Sequence, residues 1–146
     1  MKTHGFRRIL WPTDFSPGSM TVLPRLIDLA ADGASEVVVL HVLPPLPTFS
    51  LPEGASVWER WDESSRSHAA KEMAKLIDQL RKAKVRTKSL VVTGVPFDQI
   101  LRAAKRLKCD LIVLATHGRT GLKHLFMGST AERVIRHVHC PVLVVR

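Results

Sequence analysis

The chain has 146 residues, 45% of them hydrophobic, which suits one compact domain with a full core. Lys and Arg (22) outnumber Asp and Glu (13), for a net charge of +9. The cations are dispersed (Arg7, Arg8, Lys82, Lys84, Lys88, Arg102, Lys105, Arg106), no helix carries one basic face, and there is no Tyr. A nucleic-acid partner is therefore not expected, and no apolar stretch reaches the roughly 20 residues of a membrane-spanning helix.

Met1–Gly5 runs directly into a strand-like segment, so no signal peptide is expected and the reading is of a cytoplasmic, reducing setting. The first strand is expected at Arg8–Trp11 (RILW). A helical stripe follows at Leu23, Leu26, Ile27 and Ala30; Ser16 is positioned to cap the first helix, and Pro24 should kink that helical run or delay its start. The second strand is Glu36–Leu43 (EVVVLHVL). Pro44–Ala55 is the one long loop, Pro-rich and expected to be mobile or partner-facing. A longer helix starting near Ser56 carries Ala69, Met73, Leu76, Ile77 and Leu80 on one face.

Val85–Thr93 reads as a strand with a more polar start, which suits a place nearer the sheet edge. Pro96 opens a third helix with Phe97, Ile100, Leu101 and Ala104 as its stripe. Asp110–Ala115 (DLIVLA) is the fourth strand. A helix with the stripe Ala131, Val134, Ile135 and Val138 follows, with Ser129 or Thr130 as its cap and Glu132 in its first turn. Pro141–Val145 closes the chain as a fifth strand. Short, nearly continuous Val/Ile/Leu runs mark parallel strands covered on both faces. The alternation of strand and helix therefore predicts an α/β domain over residues 1–146, built on an open parallel sheet with right-handed crossovers. Cys109 and Cys140 each precede a buried-looking strand and read as inert core thiols; no CxxC pair is present.

In such sheets ligands bind beyond the carboxyl ends of the strands, where the strand order reverses. Those ends here are Pro12-Thr13-Asp14, His41-Val42-Leu43 and Ala115-Thr116-His117-Gly118, and the last helix opens with Gly128-Ser129-Thr130. Asp14 can accept hydrogen bonds from a ribose hydroxyl or an adenine amine, or it can simply close an Asx turn. Gly118 would let backbone approach a phosphate. Gly128-Ser129 offers free N–H groups and the positive end of a helix dipole. Ser129 and Thr130 add hydroxyls, and His117, Arg119 and Lys123 could add charge. Gly121 reads as a turn residue. The seven histidines are scattered, and no metal spacing, P-loop, GxGxxG or GxSxG motif is present.

The run Ile9-Leu10-Trp11-Pro12-Thr13-Asp14-Phe15-Ser16 resembles the opening of universal stress proteins. The run from Ala115 through Gly128-Ser129 to Pro141–Val145 resembles their close, so the likeness spans essentially the whole chain. The ATP-binding branch of that family carries G-x2-G-x9-G-[S/T]. Gly118, Gly128 and Ser129 match it, with Arg119–Met127 between the two glycines, whereas Ala115 stands where the first glycine would be. The resemblance implies a five-stranded, Rossmann-like sheet of order 3-2-1-4-5 with helices on both faces. It implies adenosine contacts at Pro12, Thr13, Asp14 and Val42 and phosphate contacts at His117, Gly118, Gly128, Ser129, Thr130 and Ala131. It also implies an ATP-type ligand, with or without Mg²⁺, and a homodimer formed through Pro141–Val145. Three readings follow: an adenine-nucleotide module for stress response or signalling, an interaction protein of the same fold without nucleotide (Ala115 being the clue), and a slow ATPase. No dedicated base or paired carboxylate is evident for the last.

Overall fold

A computed structural model describes residues 5–46, 55–116 and 128–146. Five strands, β1 (Arg8–Pro12), β2 (Glu36–Leu43), β3 (Arg86–Thr93), β4 (Leu111–Ala115) and β5 (Val142–Val145), form one sheet in the order β3-β2-β1-β4-β5. All pairings are parallel, with Ile9 opposite both Val37 and Leu111, Leu40 opposite Leu90 and Ile112 opposite Val142. The expected sheet and strand order are therefore both present.

Alternation along each strand explains why the central runs are apolar without a break. Ile9, Trp11, Val37, Val39, Leu111 and Val113 face one core, together with Val22, Leu26, Met73, Leu76 and Leu80. Leu10, Val38, Leu40, Ile112 and Leu114 face the other, against Ile100, Ala103, Ala104, Ala131 and Val134. The first set of helices is α2 (Val22–Leu29) and α3 (Ala55–Lys82); the second is α4 (Pro96–Arg106) and α5 (Ser129–His137). The edge strands β3 and β5 are only partly covered, as the polar start of β3 foretold.

A short helix, α1 (Pro17–Met20), precedes α2. Ser16 caps it, accepting a hydrogen bond from the Ser19 N–H at 3.1 Å. Thr21 separates α1 from α2, so Pro24 falls in the first turn of α2, where its missing N–H removes no helical bond. The delayed start expected of Pro24 is what is seen. Helix α3 begins at Ala55, so Ala55 belongs to the helix; residues 47–54 of the Pro-rich loop lie outside the described residues.

The cap assigned to Ser129 or Thr130 is a correction. Gly128 is the N-cap of α5, no side chain caps it, and Ser129 and Thr130 are the first two helical residues. The Gly128 N–H donates to the Thr116 carbonyl at 3.1 Å, and its extended φ of −55° and ψ of 149° turn the chain into the helix one residue early. The expected stripe of α5 is also narrower than read: Ala131 and Val134 are buried, while Ile135 is exposed.

Cys109 is buried and Cys140 half-buried, and neither forms a disulfide. Burial pushes the Cys109 thiol up to about 11, and burial likewise raises that of Cys140. The folded value for Cys109 lies above its ordinary 9.0, so stability from this buried thiol is full below pH 9 and lost as pH rises towards 11. Iodoacetamide at pH 8 is accordingly expected to leave Cys109 largely unmodified in the folded protein and to label it readily in urea, as mass spectrometry of the Cys109 peptide would show. Fast labelling of Cys109 in folded protein would contradict an inert core thiol.

Candidate functional site

The neighbours of β1 are β2 on one side and β4 on the other, so the chain reverses its winding direction there and leaves a crevice at the carboxyl ends of the strands. A cavity of about 260 Å³ occupies this crevice. Four segments line it: Pro12, Thr13 and Asp14 after β1; Leu40 and Val42 on β2; Leu114, Ala115 and Thr116 at the end of β4; and Gly128 through Ala131 at the start of α5. Pro96 and Ile100 of α4 add an apolar wall.

The turn after β1 is held tightly. The Thr13 N–H donates to the Leu40 carbonyl at 2.8 Å, which extends the β1–β2 ladder one residue past the strand. The buried Thr13 hydroxyl oxygen accepts from the Phe15 N–H at 3.1 Å and from the Ser19 hydroxyl at 2.8 Å. Asp14 Oδ1 accepts from the Ser16 N–H at 2.9 Å, an Asx turn, while the half-buried residue also lines the cavity. The Asx-turn reading of Asp14 is what the structure shows, and the same residue borders the cavity. Phe15 has a φ of +61°, uncommon for a bulky side chain. His41 is buried, bonds the Thr13 carbonyl through Nδ1 at 2.8 Å and stacks on Phe15.

Across the cavity, the Thr116 N–H donates to the Val145 carbonyl at 2.9 Å, and Gly128 returns the chain to the Thr116 carbonyl. The first i→i−4 bond of α5 runs from the Glu132 N–H to the Gly128 carbonyl at 3.0 Å. The N–H groups of Ser129, Thr130 and Ala131 therefore precede the helical ladder and sit at the positive end of the dipole. The backbone of Gly128 is open to any residue, and among the described residues a Cβ there would meet nothing nearer than the Thr116 carbonyl oxygen at 3.8 Å. The fold of the described residues does not require this glycine; its effect is to leave space in the cavity. Ala115 pairs with Val145 and is not among the non-glycine residues of positive φ, which among the described residues are Phe15, Lys84 and Lys108.

Of the residues assigned from the sequence, Pro12, Thr13, Asp14, Val42, Ala115, Gly128, Ser129, Thr130 and Ala131 meet around this one cavity. His117, Gly118 and Arg119, with Gly121 and Lys123, lie outside the described residues. Sequence reasoning missed Pro96 and Ile100 as cavity wall, although their i,i+4 spacing places them on one helix face. It also missed the part played by His41 and Phe15 behind the turn.

The model of the universal stress protein family matches residues 5–146. Universal stress protein MJ0531 of Methanocaldococcus jannaschii is 35% identical over 141 residues, covering 97% of this chain and 82% of the relative. The solved structure of MJ0577 from the same organism superposes with a TM-score of 0.84 at 28% identity, covering 97% of this chain and 96% of that one. An Arabidopsis thaliana family protein with AMP bound aligns at a TM-score of 0.68 and 15% identity, over 94% of this chain and 90% of its own, a likeness of fold.

Thr13→Val keeps the side-chain shape but removes the buried oxygen shared by the Ser19 hydroxyl and the part-buried Phe15 N–H. It is expected to cost about 1–3 kcal/mol, as a drop in the urea midpoint at unchanged m-value. An unchanged midpoint would contradict the role given to Thr13 Oγ1.

Proposed function

The chain belongs to the universal stress protein family, and on that footing we propose that it binds an adenine nucleotide of the ATP type in the crevice between β1 and β4. One observation carries this reading: a carboxylate, Asp14, and an uncapped helix start with a space-leaving glycine, Gly128, flank the same cavity at the strand-order reversal. Asp14 accepts from the ribose or the adenine amine, as carboxylates do. The base lies against the apolar wall of Val42, Pro96 and Ile100. The phosphates lie against the N–H groups of Ser129, Thr130 and Ala131 and the two hydroxyls, where dipole and donors favour an anion. The family resemblance adds His117 and Gly118 as phosphate contacts, and Arg119 adds charge against the phosphate oxygens.

The AMP held by the Arabidopsis relative supports this class of ligand. The position of Ala115 supports it too: a methyl group on a β4 residue outside the positive-φ set needs no strained backbone, so the missing first glycine is no obstacle to the fold of this site. Among the described residues no group of three His, Cys, Asp or Glu could hold a metal ion, so a Mg²⁺ would ride on the phosphates, as this ion commonly does. We assign the protein to a stress-response role in the cytoplasm; its two free thiols suit a reducing compartment. We also assign it a homodimer through β5, a four-residue edge strand that among the described residues pairs with β4 alone and presents the exposed Leu143.

Calorimetric titration with Mg-ATP is expected to show saturable binding at one site per chain. Asp14→Ala and Gly128→Ala, both still folded, should each weaken it about tenfold or more, equivalent to roughly 1.4 kcal/mol. No heat and no ATP-dependent rise in melting temperature would overturn the nucleotide reading. Sedimentation equilibrium is expected to give a dimer that Leu143→Asp converts to monomer; a wild-type monomer would overturn the β5 interface.

A further inference from the structure

We infer that His41 is a positioning residue for the nucleotide site, acting from the far face of the sheet by fixing the turn that presents Thr13 and Asp14. The inference rests on the nucleotide reading above and adds a residue that does not line the cavity. Leu40 and Val42 face the cavity, so alternation along β2 turns His41 to the opposite face, where Val37 and Val39 pack into an apolar core with Trp11 and Met73. A polar ring in that setting is costly unless its hydrogen-bonding groups are engaged.

His41 engages the residues on either side of Asp14. Its Nδ1 lies 2.8 Å from the Thr13 carbonyl oxygen, which can only accept, so Nδ1 carries the proton. Its ring stacks on Phe15 with centroids 4.4 Å apart and planes 29° apart. Phe15 adopts a φ of +61°, a conformation that disfavours a bulky side chain and persists where surrounding contacts over-determine it. With Thr13 held through its carbonyl and Phe15 through its ring, the residue between them has little freedom. The bond from the Ser16 N–H to Asp14 Oδ1 then sets the carboxylate itself. Preorganising a binding group in this way lowers the ordering cost of binding. A nucleotide that needs Asp14 in one place is thus served by a histidine it does not touch.

The test compares two variants of the full chain. His41→Phe keeps a ring for Phe15 to stack on and loses the donor to Thr13. His41→Asn keeps an N–H near the Nδ1 position and loses the ring. Mg-ATP binding by calorimetry is expected to weaken about tenfold or more in His41→Phe, with a melting temperature only a few degrees lower at roughly 2–4 °C per kcal/mol, and to weaken less in His41→Asn, which keeps the bond to Thr13 but loses the stack on Phe15. Amide exchange at Phe15 and Ser16, measured without nucleotide, should accelerate more in His41→Phe than in His41→Asn. Wild-type affinity in His41→Phe would overturn the role, as would equal loss in both variants alongside a collapse in melting temperature, which marks general destabilisation. Should His41→Phe fail to fold, the wild-type protein decides: saturating ATP is expected to shift the His41 Nδ1–H resonance, and an unmoved resonance overturns the role. If wild type binds no ATP, the nucleotide reading itself fails, and exchange at Phe15 and Ser16 reports separately whether His41 holds the turn.

Discussion

Strand β1 is bonded to β2 along one edge and to β4 along the other, and its three central residues are fully buried between two layers of helices. The position of every group at the carboxyl end of the sheet follows from that placement. A one-residue slip of β1 would exchange its two faces, turning Trp11 towards α4 and α5 and Leu10 towards α2 and α3. It would also move Thr13 and Asp14 away from α5. Both ends of the strand carry polar locks. At its start, the two Asp110 carboxylate oxygens accept from the Arg7 and Arg8 N–H groups at 2.8 and 2.9 Å. At its finish, the Thr13 N–H donates to Leu40, and the Thr13 side chain and carbonyl bond three further groups.

These locks differ in strength. The Glu36 carboxylate lies 3.4 Å from Arg8 and 3.2 Å from Lys88 beside the start of β1, but both cationic side chains reach solvent, and such pairs typically contribute about 0–1 kcal/mol. The Thr13 network is buried, and an unmade bond there leaves a donor without water, which is the costlier case. Helices α3 and α4 return to the sheet in a common way: Lys84 and Lys108 take left-handed angles, and Val85 and Cys109 donate back to Leu80 and Ala104. Both then lead towards β3 and β4.

Much of this was legible in the sequence because burial on two faces leaves an unbroken apolar run. RILW, EVVVLHVL and DLIVLA could be read as central strands and VRTKSLVVT as a strand nearer an edge. Ser16 and Pro24 were readable as a cap and a delayed start because each acts within one turn of chain. The features that were missed depend on tertiary contact. Gly128, not Ser129, caps α5 because Thr116, twelve residues earlier, takes its N–H. Phe15 is left-handed where Thr13 Oγ1 takes its N–H and His41 stacks on its ring, and no local propensity signals that. The 3.6-residue spacing puts Ile135 in the stripe of α5, but only Ala131 and Val134 on that helix are buried against α4 and the sheet. Pro96 and Ile100 read in sequence as a helix start and a core position, and in the fold they are also a cavity wall.

The central claim is that the turn after β1 and the start of α5, far apart in sequence, contact one ligand. An amide NMR titration of the uniformly ¹⁵N-labelled protein with Mg-ATP tests it most directly. The account predicts that the resonances of Asp14 and of Gly128 through Ala131 move together along a single saturable curve, while Arg8, Glu36 and Asp110 at the opposite end of the sheet stay in place. Shifts confined to one of the two segments, or centred at the opposite end, would contradict it.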